Sequence, residues 1–193
     1  MKKVLLIILL ILLYSCKEVN NTTQEEDNAT ERYDTITLGN RYSLLIPESL
    51  ERTDKLNDIA RIQFQNKQQD FYIIVIDQLK EGFYKRVEEK TFNVTPDIEG
   101  YFKVIKEHFG EECGIKNFKV SNITRGKINS NKAITFTMTG ECYDGKYSVF
   151  YRYSIVESKL RYYQIMGWTN ITNADKTITK MNKIINSFKI EEK

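Results

Sequence analysis

The spacing of apolar positions changes several times along the chain, and each change marks a different kind of element. Val4 to Leu13 is an unbroken run of Val, Leu and Ile. From Tyr33 to Asp77, short alternating runs predict strands. Tyr33 to Leu38 and Arg41 to Ile46 flank a two-residue Gly39-Asn40 turn as a hairpin that Pro47 ends, and Ile59 to Gln65 pairs with Asp70 to Asp77 around Asn66 to Gln69. Gln78 to Phe92 sets charges around Phe83, Tyr84 and Val87 and reads as a loop carrying a helical turn. After Pro96, the residues Ile98, Tyr101, Phe102, Ile105 and Phe109 recur at three- and four-residue spacing, one face of a helix for which Gly110 offers a stop. From Phe118 the period shortens to two. Four strands are expected: Phe118 to Arg125, Ala133 to Glu141, Lys146 to Val156 and Leu160 to Thr169, with Asp144-Gly145 as a hairpin turn. Ile134, Phe136 and Met138 alternate with Thr135, Thr137 and Thr139, which predicts one buried and one wet face. A closing helix runs from Asn173 or Ala174 to about Phe188, with Ile178, Met181, Ile184, Ile185 and Phe188 on one stripe and Thr172 or Asn173 to cap it. Two helices and seven or eight strands make an α+β fold, an antiparallel β-sheet packed between helices.

The opening run is too short for a bilayer span, which needs about 20 apolar residues, and Lys2-Lys3 before it suits a signal peptide. Leu13-Tyr14-Ser15-Cys16 resembles the lipobox of bacterial lipoproteins. That resemblance implies a signal peptide over residues 1–15, cleavage between Ser15 and Cys16, and diacylglycerol on the Cys16 thiol, usually with an acyl chain such as palmitate on its amine. Two acyl chains, at about 0.8 kcal/mol per buried methylene, anchor a protein firmly to a membrane. By the same resemblance, Lys17 in place of an Asp favours the outer membrane of the cell envelope and leaves periplasmic face or cell surface open. Residues 16–32 then form the lipidated Cys and a flexible tether, because KEVNNTTQEEDNATER holds one large apolar residue, Val19. As a coil, sixteen residues reach roughly 20 to 25 Å. A single domain is expected over residues 33–190.

Composition narrows the function more than it defines it. The chain has 193 residues, 41% hydrophobic and 28% charged, which suits one globular core. Removing Lys2 and Lys3 leaves the basic residues almost balanced by 26 acidic ones, so the chain lacks the charge footprint of a nucleic-acid binder. His108 is the only histidine, and beside an apolar helical stripe it reads as a helix-edge residue. No second His supports a zinc site, no glycine-rich phosphate loop is present, and no motif supports nucleophilic catalysis, so neither a metal, a cofactor nor an enzyme is expected. The pairs Glu25-Glu26, Glu88-Glu89 and Glu111-Glu112 read as solvated charge, without the ligand spacing of a calcium loop. Asp34-Thr35-Ile36 resembles a short O-glycosylation sequon of some diderm bacteria.

With Cys16 committed to lipid, Cys113 and Cys142 remain, and in an exported domain a disulfide between them is favoured over two free buried thiols or a redox or metal role. A loop of about 30 residues would gain roughly 3.5 kcal/mol in the chain-entropy account. Tyr147, Phe150, Tyr151, Tyr153, Tyr162, Tyr163 and Trp168 crowd the last two strands. Most should be core, but rings left uncovered would form a docking patch, with Tyr151, Tyr153, Tyr162, Tyr163 and Trp168 as the candidate interaction surface.

The order of elements resembles the PsbP-like superfamily, which includes bacterial lipoproteins of the DcrB type. Tyr42-Ser43-Leu44-Leu45-Ile46-Pro47, Ile73-Ile74-Val75, the helix from Ile98 to Phe109 and Ile184-Ile185-Asn186-Ser187-Phe188-Lys189 carry the resemblance, while Glu48-Ser49-Leu50 departs from it. It implies an α/β/α sandwich and a non-catalytic role in binding another envelope protein or supporting an assembly. A small-ligand or glycan binder that uses an aromatic sheet face is the alternative.

Overall fold

The computed structural model describes residues 31–142 and 145–191. The candidate signal peptide, Ser15, Cys16, the tether up to Thr30, and Asp144 of the expected Asp144-Gly145 turn lie outside the described residues. Among the described residues the elements are β1 (Tyr33–Leu38), β2 (Tyr42–Pro47), β3 (Glu51–Arg52), β4 (Ile62–Asn66), β5 (Phe71–Leu79), α1 (Lys80–Glu88), α2 (Ile98–Glu112), β6 (Lys116–Ile128), β7 (Asn131–Cys142), β8 (Tyr147–Glu157), β9 (Arg161–Asn170), α3 (Ala174–Ser187) and β10 (Lys189–Ile190). Seven strands form an antiparallel sheet in the order β3-β4-β5-β9-β8-β7-β6, and β1-β2-β10 form a second, small one.

The period-two pattern sorts the large sheet into two buried faces. Ile73, Val75, Tyr163 and Ile165 point toward Met181, Ile184 and Ile185 of α3 and toward Tyr42 and Leu44 of β2. Ile74, Ile76, Tyr153, Tyr162 and Met166 point the other way, toward Phe83 of α1 and Tyr101 and Phe102 of α2. The fold is therefore α+β, with an antiparallel sheet between helices. Each fully buried large apolar side chain is worth roughly 1.5 to 3 kcal/mol, so neither layer is dispensable.

Several boundaries differ from the sequence reading for physical reasons. Gln78 to Phe92 is not a loop with one turn but largely the helix α1, which Phe83 anchors by being buried against Tyr101 and Tyr162. Gly110 does not stop α2. It lies inside the helix, where Phe118 packs so close that a Cβ would sit 2.8 Å from its Cγ, and the left-handed residue after the helix is Gly114. The start of α2 is capped by Asp97, whose Oδ1 accepts from the Gly100 amide at 2.8 Å; that bond holds the carboxyl below its ordinary value. At α3, Asn173 occupies the cap position without a side-chain bond, and Asn170 instead accepts from the Thr172 amide. The first hairpin turns through three residues, since Leu38 pairs with Tyr42. Thr137, expected on a wet face, is buried and bonded to Ser121 at 2.8 Å.

Candidate functional site

Antiparallel register places rings on β5, β9 and β8 directly across from one another. Tyr72 pairs with Trp168, and Trp168 pairs with Tyr151. Tyr72 stacks on Trp168 at 5.2 Å between ring centroids, Trp168 meets Tyr151 at 5.9 Å, and Phe109 of α2 closes edge-on against Tyr151 at 5.3 Å. Tyr72, Trp168 and Tyr151 are half-buried. Their row is fixed at one end by Asp70, whose Oδ2 accepts from the Tyr147 hydroxyl and the Asn170 amide, both at 2.8 Å. Burial, then the Asp70 hydrogen bond and charge, raises the Tyr147 phenol above its ordinary value.

This row corrects the expected interaction surface. Tyr153, Tyr162 and Tyr163 are fully buried and cannot offer contact area. Tyr163 packs between Tyr42 and Phe188, Tyr162 stacks on Tyr101 at 4.3 Å, and Tyr153 stacks on Phe136 at 4.8 Å. Only Tyr151 and Trp168 of the expected set reach the surface. Tyr72 joins them without having been anticipated, because its strand was readable but its cross-strand neighbour was not.

Beside the row lies a cleft of about 300 Å³ lined by Cys113, Cys142, Tyr147, Val149, Tyr151 and Trp168. Cys113, at the C-cap of α2, and Cys142, at the end of β7, carry free thiols, and the expected disulfide is not formed in this structure. Desolvation raises both thiols above their ordinary value, with the Glu112 carboxylate adding to the shift at Cys113. Neither is therefore a preformed thiolate nucleophile.

A second cleft, of about 650 Å³, separates α1 and α2 from the same sheet face. Its floor holds a chain of hydrogen bonds. The Tyr153 hydroxyl donates to Gln164 Oε1, Gln164 Nε2 donates to the Tyr101 hydroxyl at 2.7 Å, and Tyr101 donates to Gln78 Oε1 at 2.6 Å. Burial pushes the Tyr101 and Tyr153 phenols up, so they are neutral at physiological pH and act as donors rather than bases. His108 sits exposed at the rim, its ring 6.2 Å from that of Phe92. Among the described residues no group of three His, Cys, Asp or Glu side chains could hold a metal ion.

A charged cluster that the sequence pattern did not suggest lies at the far end of β5. Asp77 Oδ2 accepts from Arg41 at 2.7 Å and from Arg161 at 3.2 Å, and Arg61 Nε stands 3.9 Å from Oδ1. Burial and then the Asp77 charge raise the neighbouring Tyr42 phenol.

No family model matches the chain, and no curated protein matches it. Solved structures do resemble it. The cyanobacterial PsbP of Synechocystis, CyanoP, superposes with a TM-score of 0.58 and 11% identity over 93% of this chain and 99% of its own. The Ran-binding protein Mog1p of Saccharomyces cerevisiae gives 0.57 and 9% over 84% and 97%. LpqN, involved in cell envelope biogenesis of Mycobacterium tuberculosis, gives 0.50 and 12% over 83% and 91%. The chain thus has the PsbP-like fold. At these identities the similarity defines architecture and transfers no residue role.

Proposed function

We propose that this protein is a lipid-anchored cell-envelope protein whose PsbP-like domain binds another envelope protein without catalysis. The observation that carries the binding role is the half-exposed row Tyr72–Trp168–Tyr151, because Tyr and Trp combine large apolar area with a polar tip and are enriched where proteins dock. In the glycan alternative a sugar would stack on an outer ring of the row, since Trp168 lies between Tyr72 and Tyr151 in the sheet. Mog1p, a Ran-binding protein, and LpqN, a protein of envelope biogenesis, share the fold and support the reading.

The anchor rests on Leu13-Tyr14-Ser15-Cys16 and the apolar run before it. Outer-membrane sorting rests on Lys17. Cys16→Ser is expected to leave an unacylated precursor, read by intact mass and by incorporation of a labelled fatty acid. A mutant that is still cleaved and still extracted with membranes would refute the anchor. For the binding role, a photo-reactive residue at Tyr72 in the native cells is expected to capture one reproducible envelope protein, with capture at Tyr72 lost on Trp168→Ala. Capture that ignores Trp168→Ala would refute the row as the contact.

A further inference from the structure

The sheet face under α1 and α2 is apolar except near its middle. Gln164 lies on β9, the central strand of seven, directly between Ile76 of β5 and Ile155 of β8, and Gln78 follows Ile76 by two residues on the same face. A sealed core would favour aliphatic side chains here, because a buried amide costs free energy for each hydrogen bond it lacks. Both glutamines are instead half-buried, and both line the cleft of about 650 Å³ between the helices and the sheet. Their hydrogen bonds run in one direction. Tyr101 has a single O–H, which goes to Gln78 Oε1, so its oxygen receives the Gln164 amide. Both N–H groups of the Gln78 side chain, and the second of Gln164, have no acceptor among the described residues.

The walls around these donors are apolar, with Phe83, Phe92, Val104, Ile105 and Met166 among them. Phe92 is held at the rim by the chain reversal after α1. Lys90 takes a positive φ of 59°, the Thr91 and Phe92 amides both return to the Arg86 carbonyl, and the Phe92 ring stands 6.2 Å from the rings of both Phe83 and His108. Charges of both signs line the cleft, Asp58, Asp77 and Glu112 as well as Arg61 and Arg86.

We propose that this cleft binds a neutral, mostly apolar small molecule that carries a carbonyl or amide group. Its volume lies within the range of about 300 to 1,000 Å³ usual for such sites, and apolar walls with a few placed polar groups are their usual lining. The glutamine N–H groups fix the ligand's orientation, since a carbonyl oxygen set against them takes the hydrogen bonds that water otherwise takes. An ion would meet charges of both signs and lose hydration without a matched partner. The proposal does not rest on the aromatic row, because Tyr72, Tyr151 and Trp168 do not line this cleft.

The test uses the purified full chain and three naphthalene dyes, excited beyond tryptophan absorption: Prodan, neutral with a ketone; N-phenylnaphthylamine, neutral without a carbonyl; and anilinonaphthalene sulfonate, an anion. The apolar run at residues 4–13 is common to every variant, so dye taken up there cancels in the differences between variants. Prodan is expected to bind saturably and more tightly than the sulfonate. Val104→Trp, which puts an indole into the cleft from α2, should abolish that binding. Gln78→Met, close in size but without N–H groups, should weaken Prodan about tenfold and N-phenylnaphthylamine by about twofold or less. Unchanged urea midpoints exclude unfolding as the cause; if Val104→Trp lowers the midpoint, Gln78→Met decides through the contrast between the two neutral dyes. Prodan uptake that never saturates, or that ignores a folded Val104→Trp, would overturn the site. Equal effects of Gln78→Met on both neutral dyes would overturn the carbonyl contact, and tighter binding of the sulfonate than of Prodan would overturn the neutral class.

Discussion

Asp77→Asn removes one charge and no volume, and the cost follows from where the remaining charges stand. Asp77 ties the β1–β2 turn to β9 through Arg41 and Arg161, residues 36 and 84 positions away, and Arg61 brings in the start of β4. Breaking a fully buried ion pair typically costs about 3 to 5 kcal/mol because the surviving charge is stranded. Here the survivors can rehydrate, since Arg161 keeps 20% of its side-chain exposure and Arg41 more, and the Asn amide oxygen can still accept a hydrogen bond; the expected loss is about 2 to 3 kcal/mol. With a urea slope of about 2 kcal/mol/M, the midpoint should fall by about 1 to 1.5 M. Trp168, the only tryptophan, sits far from the mutation on β9 and reports global unfolding by its fluorescence. The double variant Asp77→Asn/Arg41→Gln should cost less than the sum of the singles, because removing Arg41 also removes repulsion from Arg161. A midpoint for Asp77→Asn that matches the parent, or strict additivity in the double variant, would refute the view that Asp77 closes this end of the domain.

Three further outcomes follow from packing and burial. Gly167→Val should lift α3 from the sheet, since even a Cβ at Gly167 would stand 2.8 Å from Ile73 Cδ1 and 3.0 Å from Met181 Cγ; overpacking of this kind costs about 1 to 3 kcal/mol, measurable by urea titration, and an unchanged midpoint would contradict the packing. Stability should decline above pH 10. The Tyr101, Tyr153 and Tyr162 phenols are raised in the folded state, so the unfolded chain alone releases their protons there, and their contribution, complete below the unfolded value of 10.0, is lost as pH rises; part of the tyrosinate absorbance should therefore appear only with unfolding, and a titration completed before unfolding would contradict the burial. Cys113 and Cys142 should join under mild oxidation, giving a chain two hydrogens lighter and more resistant to urea, whereas a product in which either thiol still reacts with an alkylating agent would count against a bridge between them.

What the sequence revealed depended on how many residues each element had with which to state its period. Helix α2 was legible because Ile98, Tyr101, Phe102, Ile105 and Phe109 mark one face over fifteen residues. Helix α1 was not, because nine residues with Lys80, Glu81, Lys85, Arg86 and Glu88 among them leave Phe83 as the only fully buried anchor. β3 and β10 have two residues each, too few for any alternation, and exist only because a neighbouring strand offers them hydrogen bonds. The aromatic crowding of β8 and β9 was plain, but which rings stay out of the core depends on register: Tyr153 and Tyr162 meet Phe109 and Tyr101 of α2, while Tyr151 and Trp168 lie further toward the end of the helix, where Phe109 meets Tyr151 edge-on. Nothing in the sequence singles out Asp77, since its partners are distant in sequence and meet it only once three strands and a turn have assembled.

The location of the clefts follows from a mismatch of areas between the sheet and its cover. Seven strands at about 4.8 Å spacing make a sheet roughly 29 Å wide, and its longer strands, near ten residues, extend about 33 Å. α1 and α2 rise about 13 and 22 Å and are each about 10 Å across, so their combined footprint is well under half of the face they cover. The opposite face has α3 and also the β1-β2-β10 sheet, which brings Tyr42, Leu44 and Ile46 into its core. Among the described residues the helical face has no second sheet. Residues 53–60 and 89–97 therefore border the space beside the helices, with Ile59 and Phe92 at the larger cleft, and the sheet is left to cover part of itself by stacking Tyr72, Trp168 and Tyr151 on one another. Cross-strand stacking buries ring faces without any helix above them and leaves edges and polar tips outward. A sheet broader than its helical cover thus generates the half-buried aromatic row as a consequence of its own register, and a binding role needs only a partner that completes the cover.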